Sequence, residues 1–325
     1  MKKVLVLLSA AALLLVSCAK VKDVYTGSPE SRQIAFSPLA QPATKAPIAD
    51  GVFPTSSTMK VAAYNKSAGA EFFAPADFTY SNSGTLWTGG KSWPLSPAVI
   101  HFLAYAEFQG STVTWGTPIS VASVALQMTD NSSAQKDLVY ALGKGVVSQS
   151  NNELTFPTSV SMSFQHAQAW IAFNANAASG SGGRVTVNYI KLNGAKYSGT
   201  YTVTVSNYTT DTPSATGAWS NLGAAPEEGV NIAGPGSAIA TSESGTAIGN
   251  GLLIVPDGTD AGDFTSFTIN YTLDNKTYNY TYTPASTNVL AGNKYTYNIV
   301  FSMHDIAISA GVQTWSAGSG VGVNI

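Results

Sequence analysis

Apolar and polar side chains alternate with a two-residue period in nearly every segment of this chain, and this pattern constrains its fold most. Tyr295, Tyr297, Ile299 and Phe301 are separated by Thr, Asn and Val, which is typical of a strand with one buried face. The other strand candidates share this period: 33–39, 59–65, 99–108, 137–142, 159–174, 185–192, 200–206, 252–255, 267–273, 278–282 and 306–315. No window of the sequence carries a sustained helical stripe. We therefore predict an all-β fold built from antiparallel β-sandwiches.

Composition and length limit the classes of protein to consider. Only 10% of the residues are charged and the formal net charge is -2, so the chain lacks the basic surface that a nucleic-acid partner requires. Beyond an N-terminal leader, about 300 residues remain, which is enough for two domains with separate cores. The polar stretch 148–153 (SQSNNE) precedes a long apolar strand. We therefore predict one β-sandwich domain over 33–150 and a second over 151–325.

The N-terminal leader has the pattern of a lipoprotein signal peptide over residues 1–17. Lys2 and Lys3 precede an apolar run, and Leu15-Val16-Ser17-Cys18 fits the bacterial lipobox. A membrane-spanning helix is the weaker interpretation, because crossing a bilayer takes ~20 apolar residues. A plain signal peptide that ends at the only cysteine by chance is the other alternative. We expect lipidation of Cys18, with residues 18–32 as a polar tether between the lipid anchor and the fold.

The sequence offers little catalytic or metal chemistry. It contains no HExxH, G-x-S-x-G or P-loop motif. Its three histidines, His101, His166 and His304, fall in or beside separate strands, where packing is commoner than metal ligation. We therefore expect no catalytic residue, no metal ion and no cofactor.

Two other residue patterns leave a binding role open. Asp257, Asp260 and Asp263 could wrap Ca²⁺, but their spacing differs from an EF-hand and a solvated loop is the favoured interpretation. Flat aromatic rings could also bind sugars by stacking, although large aromatics in a sandwich without disulfides more often fill the core. The tryptophans concerned are Trp87, Trp93, Trp115, Trp170, Trp219 and Trp315.

Several segments in a defined order carry a resemblance to a known family. They are 33–36 (QIAF), 43–46 (ATKA), 59–64 (MKVAAY), 93–94 (WP), 101–105 (HFLAY), 137–141 (DLVYA), 160–173, 253–256, the 268–282 hairpin, 290–295 (LAGNKY) and Trp315. In this order the chain resembles the fimbrillin family, the subunits of type V pili on some Gram-negative bacteria. The likeness covers almost the whole chain beyond the tether.

The resemblance implies two transthyretin-like β-sandwich domains and an assembly route. Family precursors travel as lipoproteins to the outer membrane, where an Arg- or Lys-specific protease cuts after a basic residue that follows the first strand. The cut releases that strand with its lipid, and a C-terminal strand of a neighbouring subunit fills the groove. On this sequence, the resemblance implies processing after Lys45.

The residues near the N-terminus are compatible with that route. Ile34 and Phe36 lie on one face of the candidate strand 33–39, and a Pro-containing segment separates the strand from Lys45. Removing the strand would uncover two strand edges and an apolar slot, which favours addition of another strand. Arg32 is a rival cut site, but cleavage there would leave the strand in place.

The segment 318–325 (GSGVGVNI) is the candidate donor strand. Val321, Val323 and Ile325 alternate with Gly and Asn, which gives a flexible segment with one apolar face. A frayed terminus is the alternative for these residues.

We therefore predict a structural or tip subunit of a type V-like surface pilus that polymerises with other subunits and supports adhesion to a host or glycan receptor. Two alternatives stay open. One is a monomeric glycan-binding surface lipoprotein with an exposed Trp as the sugar platform. The other is a pilus anchor or assembly subunit that keeps its lipid. An enzyme is the least favoured class.

Overall fold

The computed structural model describes twelve parts of the chain. They are residues 32–38, 53, 57–80, 86–106, 112–116, 119–128, 135–179, 184–239, 245–258, 262–302, 305–314 and 323–324. Cys18, Lys45, Val321 and Ile325 lie outside these residues, and so do Asp260, His304 and Trp315. The predictions made for those positions are not addressed by the structure.

The described residues form strands and no α-helix, which confirms the all-β prediction. The strands are β1 Gln33–Pro38, β2 Thr58–Asn65, β3 Ala70–Tyr80, β4 Trp87–Ser92, β5 Ala98–Ala106, β6 Val113–Trp115, β7 Val121–Gln127, β8 Val139–Ser150, β9 Glu153–Thr155, β10 Val160–His166, β11 Ala169–Ala177, β12 Val185–Asn193, β13 Ser198–Ser206, β14 Ser214–Ser220, β15 Val230–Ala233, β16 Thr246–Ala247, β17 Leu252–Ile254, β18 Ser266–Leu273, β19 Lys276–Tyr282, β20 Asn293–Phe301, β21 Ile306–Thr314 and β22 Val323–Asn324. No helix suited to crossing a membrane occurs in the part of the chain that the structure describes.

The first group of strands closes on itself. Its strands follow the order β10-β1-β4-β3-β2-β5-β8, and β10 also pairs with β8, so the pairings form a complete ring. β9 pairs with the last residues of β8 in a short hairpin. Inward side chains from all seven ring strands form one apolar core. Closure removes the free edges that an open sheet would present.

The other strands form three sheets around a second, larger core. They are β16-β11-β20-β21-β22, with β17 also on β11; β15-β12-β18-β19; and β14-β13-β7-β6. β11 and β20 run parallel, whereas the other pairings within these sheets are antiparallel. Val187, Ile190, Phe173 and Phe267 are among the fully buried side chains of this core.

Strand pairings cross the predicted boundary at residue 150. β10 follows the boundary yet completes the ring, and β7 precedes it yet pairs with β13. The polar stretch 148–153 turns the β8–β9 hairpin, where Asn151 and Asn152 adopt φ values of 50° and 63°. These left-handed conformations are typical of a type I′ turn. A turn and a domain linker share the same polar composition, and here the stretch is a turn.

β5 and β8 belong to both cores because each buries both faces. Ile100, Phe102 and Ala104 face the inside of the ring, whereas Leu103 and Tyr105 pack into the larger core. The nearly continuous apolar run of β5 follows from this placement, since a strand buried on one face alone would alternate. The two cores are therefore joined through shared strands.

A loop between β13 and β14 contacts the outer surface of the ring. Tyr208 meets Tyr64 edge to face, with ring centroids 5.1 Å apart. Asp211 lies 2.6 Å from Nζ of Lys66 and 3.8 Å from Nζ of Lys144. The Nδ1–H of His101, which is fully buried, donates to the Tyr208 carbonyl at 2.8 Å.

Acidification is expected to weaken this contact through His101. Burial lowers the pKa of His101, and nearby Lys144 and Lys66 lower it further, against the Tyr208 hydrogen bond and Asp211. Near and below about pH 6.5, His101 therefore binds more protons in the unfolded chain than in the folded chain. We expect the free energy of unfolding to fall as the pH drops through about 6.5 and below, and to fall less in His101→Gln. Urea titrations of both proteins check this; equal pH slopes would contradict it.

Candidate functional site: the first strand and its groove

β1 occupies the site that the sequence singled out. It pairs antiparallel with β4, placing Phe36 opposite Trp87, and parallel with β10, placing Phe36 opposite Val160. Both edges of this six-residue strand are therefore hydrogen-bonded to neighbours. β1 closes the ring from one side, and its removal would leave one edge of β4 and one edge of β10 unpaired.

The inward side chains of β1 fill the middle of the ring core. Ile34 and Phe36 are each 0% exposed. The Phe36 ring is held edge to face by Phe78 at 4.9 Å and by Phe102 at 5.0 Å. Burying two such side chains contributes about 3–6 kcal/mol. The apolar slot beneath β1 is therefore a deep one, built around an aromatic ring.

Polar contacts fix the two ends of β1. Two hydrogen bonds join Arg32 to Trp93. The Trp93 N–H donates to the Arg32 carbonyl at 2.9 Å, and Nη2 of Arg32 donates to the Trp93 carbonyl at 3.1 Å. At the other end, the Ser37 and Ser159 hydroxyls are 3.2 Å apart. These contacts set the register of β1.

Two glycines in β8 make room for the walls of this slot. A Cβ at Gly145 would lie 2.1 Å from the Trp93 ring, and a Cβ at Gly143 would lie 2.4 Å from the sulfur of Met162. Trp93 and Met162 are both fully buried. Close approach of these side chains to the β8 backbone therefore requires glycine at both positions.

β10 is held in place independently of β1. Residues 163–166 pair with β8, and Nδ1 of His166 lies 2.6 Å from Oδ2 of the fully buried Asp137. Burial raises the pKa of Asp137, against the influence of His166. The indole N–H of Trp219 donates to the Ala167 carbonyl at 2.6 Å, just beyond β10. The wall of the slot is therefore anchored on its far side.

Phe53 is a residue of the site that the sequence analysis missed. It follows the predicted cut position and is 2% exposed. Its ring lies 4.5 Å from that of Trp87 and 4.8 Å from that of Phe164. Phe53 lies outside any segment of alternating apolar and polar residues, so no two-residue period marked it in the sequence. It anchors the chain to the ring core before β2 begins.

The candidate donor segment is described only in part. The backbone of β22, Val323–Asn324, pairs antiparallel with β21, placing Val323 opposite Val312 and Asn324 opposite Gly311. Two residue pairs hold it at the edge of its sheet in the same chain.

The acidic loop differs from the solvated loop that was expected. Asp263 is 1% exposed, and it accepts hydrogen bonds from the backbone N–H groups of Asp257 at 2.5 Å and Val289 at 2.6 Å. Burial raises its pKa, although the two N–H donors lower it. The Asp257 carboxylate is bonded to Lys196 at 2.5 Å. Both carboxylates serve to tie loops together.

The remaining candidates do not converge on a binding centre. His101 and His166 contact different groups, and the described residues contain no cluster of three or more metal-ligating side chains. Trp87, Trp93 and Trp170 are buried, as the core interpretation predicts. Trp115 and Trp219 are half-buried.

Comparison with known proteins agrees with this architecture. A family model described as fimbrillin-like matches residues 44–315. No curated protein matches the chain.

Solved structures share the fold at low sequence identity. A candidate cell adhesion protein of Bacteroides ovatus ATCC 8483 has a TM-score of 0.56 and 15% identity, with 89% of this chain and 99% of that chain covered. A fimbrial protein of Bacteroides vulgatus ATCC 8482 has a TM-score of 0.53 and 16% identity, covering 88% of this chain and all of the other. A candidate cell adhesion protein of Bacteroides uniformis ATCC 8492 has a TM-score of 0.50 and 15% identity, covering 89% and 100%.

Proposed function

Because the chain belongs to the fimbrillin-like family, we propose that it is a structural or tip subunit of a cell-surface pilus, assembled by exchange of its first strand. Its role is mechanical and adhesive, and not catalytic. The single observation that carries this proposal is the position of β1: a short strand near the N-terminus that closes a ring and fills its core.

Delivery precedes assembly in the proposed sequence of events. Lipidation at Cys18 brings the precursor to the outer membrane, and an Arg- or Lys-specific protease cuts after Lys45. The released piece carries both the lipid and β1. Phe53 stays behind, and its packing against Trp87 and Phe164 keeps the chain docked to the ring at this residue.

Loss of β1 leaves a groove that strongly favours binding of another strand. About 3–6 kcal/mol of apolar burial disappears with Ile34 and Phe36, and the ladder bonds to β4 and β10 are lost as well. β10 stays attached through β8, so the groove keeps both walls. An extended apolar strand restores the pairing on both sides by β-augmentation.

The segment 318–325 of a neighbouring subunit is the proposed donor. Val321, Val323 and Ile325 are spaced two apart, as are Ile34 and Phe36. Its described part, β22, is held to β21 by only two residue pairs, so little pairing has to break before this segment can leave its own chain. We propose an arrangement of two transthyretin-like sandwiches for the whole subunit, joined through β5 and β8.

Limited digestion of the purified precursor with trypsin, which cuts after both lysine and arginine, tests this function. We expect one early cut after Lys45, followed by polymers that grow with time on size-exclusion chromatography. An added peptide copying residues 318–325 is expected to block growth by filling the groove. Lys45→Gln is expected to form no growing polymer in this assay.

Arg32 provides the matched control. Its carbonyl and guanidinium are both bonded to Trp93, and cleavage there would leave β1 in place. Arg32→Gln is therefore expected to polymerise as the unmodified chain does. A precursor that is cut after Lys45 and forms no growing polymer would overturn the polymer proposal. Retention of lipid on the mature surface protein would instead favour the anchor role.

A further inference from the structure

The outer edge of β19 is a regular, exposed strand edge. β19 pairs with β18 through seven consecutive residue pairs, from Phe267 opposite Tyr282 to Leu273 opposite Lys276, with no bulge. Among the residues that the structure describes, no strand pairs with the other side of β19. Tyr278 is 42% exposed, and Thr277, Asn279 and Thr281 are also exposed.

Hairpin geometry determines which backbone groups point to this open edge. A two-residue turn, Asp274-Asn275, joins the strands with φ values of 49° and 63°. In such a hairpin the closing pair exchanges hydrogen bonds, and bonded and non-bonded pairs then alternate. The N–H and C=O groups of Thr277, Asn279 and Thr281 therefore point away from β18.

Identical side chains already face each other across β18 and β19. Oγ1 of Thr268 lies 3.0 Å from Oγ1 of Thr281, and Oγ1 of Thr272 lies 3.4 Å from Oγ1 of Thr277. Between them, Asn270 donates to Oδ1 of Asn279 at 2.7 Å, and Asn188 donates to Asn270 at 2.7 Å. A polar ladder thus crosses three strands and ends at the open edge.

The sequence along that edge is a palindrome. Residues 277–281 read Thr-Tyr-Asn-Tyr-Thr in both directions. Two copies placed antiparallel about Asn279 would therefore oppose Asn to Asn, Thr to Thr and Tyr to Tyr. Such matching is what a two-fold, isologous contact requires, since one surface must complement itself.

We propose that β19 docks on β19 of a second copy of this chain, antiparallel and centred on Asn279, to join two four-stranded sheets into one. The outward groups of Thr277, Asn279 and Thr281 would form on the order of six backbone hydrogen bonds across the contact. Each Asn279 Oδ1 has a second lone pair for the amide of the other copy.

The edge carries none of the usual protection against pairing. Charged residues, proline and bulges normally blunt such edges, and residues 277–281 contain none of them. The one charge of the strand, Lys276, would face Tyr282 of the second copy, so no like charges meet. One strand edge buries less than a standard interface, so we expect a weak, concentration-dependent dimer.

Two double variants test both the contact and its register. In the proposed pairing, Thr277 faces Thr281 of the second copy. Thr277→Lys with Thr281→Lys sets lysine opposite lysine twice, whereas Thr277→Glu with Thr281→Lys sets glutamate opposite lysine twice. Both variants lose the same threonine contacts within the chain, so their difference reports the contact between copies. Sedimentation equilibrium is measured on the uncleaved chain, so the result does not depend on strand exchange.

We expect the unmodified chain to dimerise with rising concentration, and the lysine–lysine variant to bind at least about tenfold more weakly than the glutamate–lysine variant. Hydrogen exchange of the unmodified chain gives a second readout, since the amides of residues 277, 279 and 281 should slow as concentration rises. A monomer at every concentration would overturn the proposal. Equal affinities of the two variants would overturn the register.

Discussion

Replacing Phe36 with alanine is expected to lower the free energy of unfolding of the uncleaved chain by about 3–5 kcal/mol. The side chain is fully buried, and the rings of Phe78 and Phe102 contact it edge to face. Little can collapse into the space it leaves, because the surrounding ring of strands is closed. Denaturant titration of the precursor measures the effect.

The same substitution is expected to have no effect once the chain is cut after Lys45 and β1 has left. Phe102→Ala is the matched control, since Phe102 lies in the same cluster but on β5, which stays in the body. It is expected to destabilise both forms. An equal loss from Phe36→Ala before and after cleavage would show that β1 remains bound, and that the proposed exchange is wrong.

Removing the carboxylate of Asp263 is the second large change, with an expected loss of about 2–4 kcal/mol in Asp263→Ala. Two backbone N–H groups, of Asp257 and Val289, would lose their acceptor, and each costs about 1–3 kcal/mol when left unpaired. Thermal and denaturant unfolding check the prediction. Glu227→Ala, at an exposed acidic residue, is expected to stay within about 0.5 kcal/mol of the unmodified chain.

Adding Ca²⁺ distinguishes a structural role of the 257–263 loop from a cation-binding role. The Asp257 carboxylate is already paired with Lys196, and the Asp263 carboxylate accepts hydrogen bonds from two backbone N–H groups. A millimolar excess of Ca²⁺ is therefore expected to leave the unfolding midpoint unchanged. A clear rise that disappears in Asp263→Ala would instead assign the loop to cation binding.

Most of the strands could be predicted from the sequence, because the two-residue period is a local property. The alternating segment 295–301 forms β20, and the candidate strands 267–273 and 278–282 form the hairpin β18–β19. Ile34 and Phe36 were also found in this way, because both fall on the apolar face of one short alternating segment. The pattern was less informative for β5, which is buried on both faces and therefore reads as a continuous apolar run.

Three features of the fold and of the site had no local signal. Phe53 is buried without belonging to a strand, so no period marked it. Asp263 looked like a solvated loop residue because its acceptor role depends on Val289, which lies 26 positions later. The polar stretch around Asn151 looked like a linker because turns and linkers share their composition.

The sequence by itself determined that the chain is all-β, which faces of its strands are apolar, and that Ile34 and Phe36 belong to a core. Only the tertiary structure decided which edges meet. β1 pairs with β10 more than 120 positions away, as the Ser37–Ser159 contact illustrates, and β10 then closes the ring on β8. The physical reason is that side-chain alternation specifies the face that leaves water, whereas the backbone groups along a strand edge are alike in every residue except proline. The choice of neighbour therefore rests on how distant side chains fill one common core.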